Sequence, residues 1–276
     1  MNVESPTSML EILTPGAVAS RARVVLFDFD GTLSLIRSGW MDVMAPMMVQ
    51  VLQRQKTGET EQQLAALVRE FIYRLNGKQT IYQMMQLAEE VRRRGGTPED
   101  PLHYKHQYLD LLWQRIRHRV AALESGAAQP GEYLVPGSME LIRALKNRGL
   151  TLYLASGTDE AYMKREADLL GLTPYFDGGV FGALDDYTKF EKDILIRDII
   201  HNAGIRGEEF LAFGDGYVEI QNVKEVGGVA VGVATDEEEC LTVDAWKRDR
   251  LAQVGADYII PNYLGREELF SALFTA

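Results

Sequence analysis

A single cysteine, Cys240, and only four scattered histidines in 276 residues exclude a disulfide framework and a Cys/His zinc site. Long apolar runs are missing as well: none approaches the ~18 residues that cross a bilayer. The opening MNVESPTSML has neither the basic region nor the apolar core of a secretory signal. Positive charge is short, with 29 Lys and Arg against 40 Asp and Glu and a formal net charge of −11. That balance argues against nucleic acid or an anionic membrane as partner, since both need a basic footprint. The expectation is an acidic protein of the reducing cytoplasm, with its oligomeric state left open. Cys240 follows Glu237, Glu238 and Glu239; these charges raise its pKa rather than activate it, so its reading is structural.

What the chain does have is 46% hydrophobic residues over a length somewhat beyond one typical domain. Its most informative stretch is Val24 to Ser34, VVLFDFDGTLS. The run Val24 to Phe27 reads as a strand buried on both faces, as in a parallel sheet. Asp28 and Asp30 then fall just past its end, at the carboxyl edge where open α/β folds place ligands. Residues two apart on extended chain point the same way, so both carboxylates can serve one site. Such close carboxylates repel unless a cation or shared proton intervenes, which makes a divalent metal their natural companion.

Residues 1–21 read as a leader, with one helical turn expected over Ser8 to Leu13 ended by Pro15-Gly16. From Leu35 to about Leu123 strand signals are few and helical stripes follow one another: Met41, Met44, Met48; then Leu64, Val68, Phe71; then Ile81, Met84, Leu87; then Tyr108, Leu112, Ile116. This predicts an all-helical insertion over 36–131, and the Met-rich stripes are read as core. Strand and helix alternate thereafter. Strands are expected at Leu150 to Ala155, Val180-Phe181, Phe210 to Phe213, Gly228 to Val233 and Tyr258 to Ile260. Helices are expected after Pro136-Gly137, over Glu160 to Leu170, and from Lys192. The pattern is that of an α/β fold, a Rossmann-like parallel sheet with helices on both faces, formed by 22–35 and 132–276. Right-handed crossovers put every strand tip at one edge.

That edge gathers Asp28 and Asp30, Ser156, Lys192 at a helix start, and Asp215 with Glu219. Acidic groups bind a hard cation such as Mg²⁺, while a hydroxyl, backbone N–H groups and an ammonium cradle an anion. Cation and anion side by side indicate a phosphate site. Each group alone has a plainer reading, Ser156 as an N-cap and Lys192 as a surface lysine; the ordered set carries the argument.

Asp28-Phe29-Asp30-Gly31-Thr32-Leu33, Leu152 to Gly157 and Gly214-Asp215-Gly216-Tyr217-Val218-Glu219 resemble three motifs of the haloacid dehalogenase superfamily. The resemblance covers nearly all of the chain after about residue 22. It implies a core with a cap inserted between the first two motifs, and a two-step phosphoryl transfer. Asp28 would be the nucleophile and Asp30 the acid and then base. Mg²⁺ would be held by Asp28, Asp30 through its carbonyl, and Asp215, with Glu219, where many members have Asp, orienting a metal-bound water. Ser156 and the Gly157 amide would hold the phosphoryl oxygens and a lysine would neutralise them. Lys189 and Lys192 both lie in the right loop, and Lys192 fits the spacing better. Arg37 and Lys78 are candidate substrate contacts at the cap.

The resemblance implies a cytoplasmic Mg²⁺-dependent phosphatase for a small phosphorylated metabolite, a sugar phosphate among the options. A phosphomutase, returning the phosphoryl group to a sugar, is the alternative within enzymes, and phosphonate cleavage is a weaker one. A phosphate-binding module without turnover is the alternative outside them.

Overall fold

The computed structural model describes residues 9–184 and 191–275. In chain order the strands are β1 (Glu11–Ile12), β2 (Val24–Asp28), β3 (Thr151–Asp159), β4 (Gly179–Ala183), β5 (Phe210–Gly214), β6 (Val229–Val233) and β7 (Tyr258–Ile260). They form one seven-stranded sheet ordered β1-β7-β6-β5-β2-β3-β4. Every pairing is parallel except that of β1 with β7.

β2 sits between β5 and β3, with Phe27 opposite Phe213 on one side and Leu154 on the other. All five residues of β2, and all five of β5, are buried. That is why these two runs are continuously apolar rather than alternating. The alternation appears in which face each residue meets. Val25 and Phe27 pack with Leu152, Leu154, Leu211 and Phe213 in one core, whereas Val24 and Leu26 pack with Phe210 and Ala212 in the other. Helices α5 (Ser138–Asn147), α6 (Glu160–Leu169) and α10 (Arg266–Phe274) supply the first core, and α7 (Lys192–Ala203), α8 (Tyr217–Glu225) and α9 (Ala245–Gln253) the second.

Four helices fill the segment between β2 and β3: α1 (Met41–Gln53), α2 (Glu61–Arg74), α3 (Thr80–Arg93) and α4 (Pro101–Ser125). Their ends are locally encoded. Thr60 and Gln63 form a reciprocal capping box at the start of α2. Asp100 caps α4 ahead of Pro101, and Gly126 closes it in the left-handed conformation with φ 72°. Of the stripes read from sequence, Met44, Met48, Leu64, Val68, Phe71, Met84 and Leu112 are buried and Met41 is half-buried. No described helix is long and apolar enough to cross a membrane.

The structure departs from the sequence expectations in three places. No helical turn forms over the described part of Ser8 to Leu13; Ser8 itself lies outside the described residues. Glu11 and Ile12 instead pair with Ile259 and Tyr258, and Leu10 and Ala19 are buried. The described part of the expected leader 1–21 thus covers the outer edge of β7, a tertiary demand that a two-residue strand does not announce locally. β3 runs on to Asp159, with a shift in its pairing to β4 between Ala155 and Asp159. Finally, α8, α9 and α10 were not expected. α9 buries only Leu251, so it carries no apolar stripe. Cys240 is buried, and burial first, then Glu237 and Asp236, pushes its thiol pKa up.

Candidate active site

At the carboxyl edge of the central strands a cavity of about 90 Å³ is lined by Asp28, Asp30, Arg37, Lys78, Ser156, Gly157, Lys192 and Asp215, among others. β2 delivers Asp28 as its last residue, β3 carries Ser156, α7 begins at Lys192, and Asp215 follows β5. The parallel register makes this convergence unavoidable: Asp28 pairs with Ala155, so Ser156 stands one residue past the paired tip. Glu219 does not line the cavity. It lies behind Lys192, on the first turn of α8.

Lys192 is the hub of the acidic side. Its Nζ is hydrogen-bonded to Asp28 Oδ1 and to Glu219 Oε2 at 3.1 Å, and all three residues are buried. Glu219 Oε1 also accepts the Gly216 N–H at 2.7 Å. Burial would lower the Lys192 pKa, but the Asp28 and Glu219 carboxylates hold it above its ordinary range. Asp28 is pushed well above the usual carboxylate range by burial, against the pull of Lys192 and with Glu219 and Asp215 adding repulsion. Thr32 links two tips: its hydroxyl donates to Asp28 Oδ2 at 3.4 Å and accepts the Asp215 N–H at 3.0 Å. Lys189, the competing lysine, lies outside the described residues.

Asp30 belongs to the other side. Its Oδ2 accepts from Ser156 Oγ at 3.0 Å and Thr158 Oγ1 at 2.8 Å, while its buried Oδ1 has no hydrogen bond among the described residues. Arg37 approaches that oxygen to 3.9 Å but gives its bidentate fork to Glu166, at 3.0 and 2.7 Å. Its charge is therefore already matched by a buried carboxylate at the cavity wall. Lys78 stands over the Tyr82 ring, 5.5 Å from its centroid.

The helical segment closes over the edge through the turn before α3. A Cβ on Gly157 would stand 2.7 Å from the Lys78 carbonyl oxygen, and one on Gly216 2.9 Å from the Gly77 Cα. Glycine at these positions lets the turn rest directly on the strand tips. Tyr73 of α2 and Trp246 of α9 pack at a tilt of 35° across the same seam, 4.0 Å between centroids.

Sequence reasoning missed Thr158, Glu166 and a further, nearly buried ammonium, Lys247 of α9. Lys247 Nζ lies 3.0 Å from Asp215 Oδ2 and 2.6 Å from Glu237 Oε1. No motif flags a lysine 32 positions after Asp215 in the sequence; the only local signal was Asp244, which caps α9 by accepting the Lys247 N–H. Burial raises the Asp215 carboxyl to about 6, with Lys247 pulling down and Glu237 and Glu219 pushing up.

Asp28, Asp215 and Glu219 each bring one carboxylate oxygen to a group within 4.8 Å of one another. Clustered hard oxygen donors suit Mg²⁺. Burial is the main reason that the Asp28 and Asp215 carboxyls are raised, and a divalent cation among them would favour their charged forms. The donor set therefore fits the metal.

A family model for haloacid dehalogenase-like hydrolases matches residues 22–227. A 5'-nucleotidase of Pseudomonas aeruginosa is 29% identical over 126 residues, which are 44% of this chain and 54% of that protein. The chain thus spans about half the length of the curated relative it matches. Among solved structures, a predicted phosphoglycolate phosphatase from Haemophilus somnus shares the fold at TM-score 0.57 and 14% identity, covering 90% of this chain and 98% of that one. A putative beta-phosphoglucomutase from Thermotoga maritima does so at TM-score 0.51 and 18% identity, covering 90% and 98%.

Proposed function

The chain belongs to the haloacid dehalogenase-like hydrolases, and from that premise we propose that it is a Mg²⁺-dependent phosphatase acting on a small phosphorylated metabolite in the cytoplasm. The observation that carries this reading is the division of the cavity into two sides. Asp28 sits with Lys192 and the acidic cluster, while Asp30 sits apart with Ser156 and Thr158.

In the proposed reaction Asp28 attacks phosphorus, forming an aspartyl-phosphate as the ester oxygen departs. Asp30 gives that oxygen its proton, then takes one from the water that hydrolyses the intermediate. Ser156 and Thr158 fix Asp30 by donating to its Oδ2. Lys192 neutralises the phosphoryl oxygens and orients Asp28; the Gly157 amide is the proposed second donor to them. Asp28, the Asp30 carbonyl and Asp215 would hold Mg²⁺, with Glu219 orienting a water on it. When bound, the metal supplies positive charge that lets an anionic nucleophile meet an anionic ester. Helices over 36–131 act as the cap above a core of 22–35 and 132–276, excluding water from the site.

A screen of phosphorylated metabolites with Mg²⁺, reading inorganic phosphate, tests this. Release from at least one small ester is expected. Tight Mg²⁺-dependent binding without release, or conversion to an isomeric phosphate, would contradict it.

A further inference from the structure

Ala155 of β3 pairs with Phe181 of β4, and Asp159 with Ala183. Ser156, Gly157 and Thr158 therefore stand opposite the single residue Gly182. A bulge of this kind re-aims side chains, and here it turns two hydroxyls onto one oxygen. Asp30 Oδ2 accepts from Ser156 Oγ at 3.0 Å and from Thr158 Oγ1 at 2.8 Å. Ser156 Oγ in turn accepts the Thr158 N–H at 2.9 Å.

A hydroxyl has one proton to give. Ser156 cannot donate to Asp30 and to a phosphoryl oxygen at once, yet the proposed reaction needs Ser156 on the phosphoryl group while Asp30 stays fixed at the ester oxygen. Position decides which hydroxyl turns to the substrate. Asp28 pairs with Ala155, so Ser156 directly follows the partner of the nucleophile, whereas Thr158 lies two residues further on. Stiffness agrees with position. Branching at Cβ restricts the χ1 of Thr158, while the unbranched Ser156 swings more freely.

We infer that Thr158 is the positioning residue of Asp30: when a phosphate ester binds, Ser156 turns its proton to the phosphoryl group and Thr158 alone keeps the Asp30 carboxyl at the ester oxygen. This rests on the phosphatase reading above. In the first half of the reaction an Asp28 oxygen bonds to phosphorus, the bond from phosphorus to the ester oxygen breaks, and the Asp30 proton goes to that oxygen. Thr158 serves the proton transfer, and Ser156 serves the exchange of bonds at phosphorus.

The leaving group separates these two roles. A departing phenolate needs a proton far more than a nitrophenolate does, so acid catalysis weighs on phenyl phosphate and little on p-nitrophenyl phosphate. The two esters are nearly alike in size, and kcat/KM reports the steps up to departure of the leaving group. With the full chain and Mg²⁺, Thr158→Val should lower the phenyl-to-nitrophenyl ratio of kcat/KM by about tenfold, a part of the roughly 10²–10⁴-fold that a positioned acid supplies. Thr158→Ser keeps the hydroxyl and should keep the ratio near wild type. Ser156→Ala should slow both esters alike and leave the ratio where it was. Should Thr158→Val misfold, Thr158→Ala removes the same hydroxyl and should show the same fall. An unchanged ratio in the folded variants, or a Ser156→Ala shift as large as that of Thr158→Val, overturns the role of Thr158 alone. No phosphate release by the wild type from either ester or from any metabolite of the screen overturns the phosphatase reading and this inference with it.

Discussion

Lys247 and Asp215 form an ion pair of 3.0 Å at the back of the acidic cluster, with both side chains nearly buried. The same ammonium holds Glu237, so one lysine keeps two neighbouring carboxylates from repelling each other.

Lys247→Met should cost about 3 kcal/mol of stability, because removing one partner of a buried pair strands the other charges. Chemical denaturation in EDTA measures this. Millimolar Mg²⁺ should restore more stability to the variant than it adds to the wild type, since the cation replaces the lost charge beside Asp215. Equal Mg²⁺ effects on both would contradict a metal site at Asp215.

Burial raises the Asp215 carboxyl to about 6, and a carboxyl must lose its proton to act as a ligand. A raised pKa leaves the group protonated below about 6 and ionised above it. Apparent Mg²⁺ affinity should thus be weaker at pH 5.0 than at pH 7.5. Calorimetric titration at pH 7.5 and 5.0 reads the difference; identical affinities would refute it.

Gly157→Ala puts a Cβ 2.7 Å from the Lys78 carbonyl oxygen. Overpacking of this kind costs about 1–3 kcal/mol, and the fold can relieve it by lifting the cap turn. Turnover should fall, and proteolysis near Asn76 to Gln79 should quicken, while the core transition on heating stays close to wild type. Unchanged turnover would mean that the turn does not close on Gly157 in solution.

Much of this site was legible because β2 and β5 are buried on both faces, and such strands write themselves as apolar runs ending in a turn. Asp28, Ser156 and Asp215 are strand-tip residues, so parallel pairing alone carried them to one edge. Lys192 was legible by its place at the head of an amphipathic helix. Lys247 and Glu166 were not, since each comes from a helix whose own pattern says nothing of what its polar side faces. Arg37 was picked out as a substrate contact, but the bond to Glu166 that takes its fork spans 129 positions of sequence, beyond any local rule. β1 escaped for the opposite reason: two residues hold no period, and the edge of β7 decides their pairing.

β1 gives a modest prediction of its own. Arg248 hydrogen-bonds Glu11 and holds its carboxyl below the ordinary value. A depressed carboxylate adds stability above its unfolded pKa and loses it as pH falls through the folded one. Glu11→Gln should lower stability at pH 7 by at most about 1 kcal/mol, as expected of a partly exposed pair, and the gap should close in acid below pH 4. A gap that persists there would assign the effect to packing of β1 instead.

The central claim is that Asp28 carries the phosphoryl group. Acid quenching during turnover of a ³²P-labelled ester should trap label on the protein that hydroxylamine releases, with a labelled peptide spanning Val24 to Ser34. Asp28→Asn, folded by circular dichroism, should show neither label nor phosphate release. Retained turnover in that variant, or label on a different residue, would contradict the account.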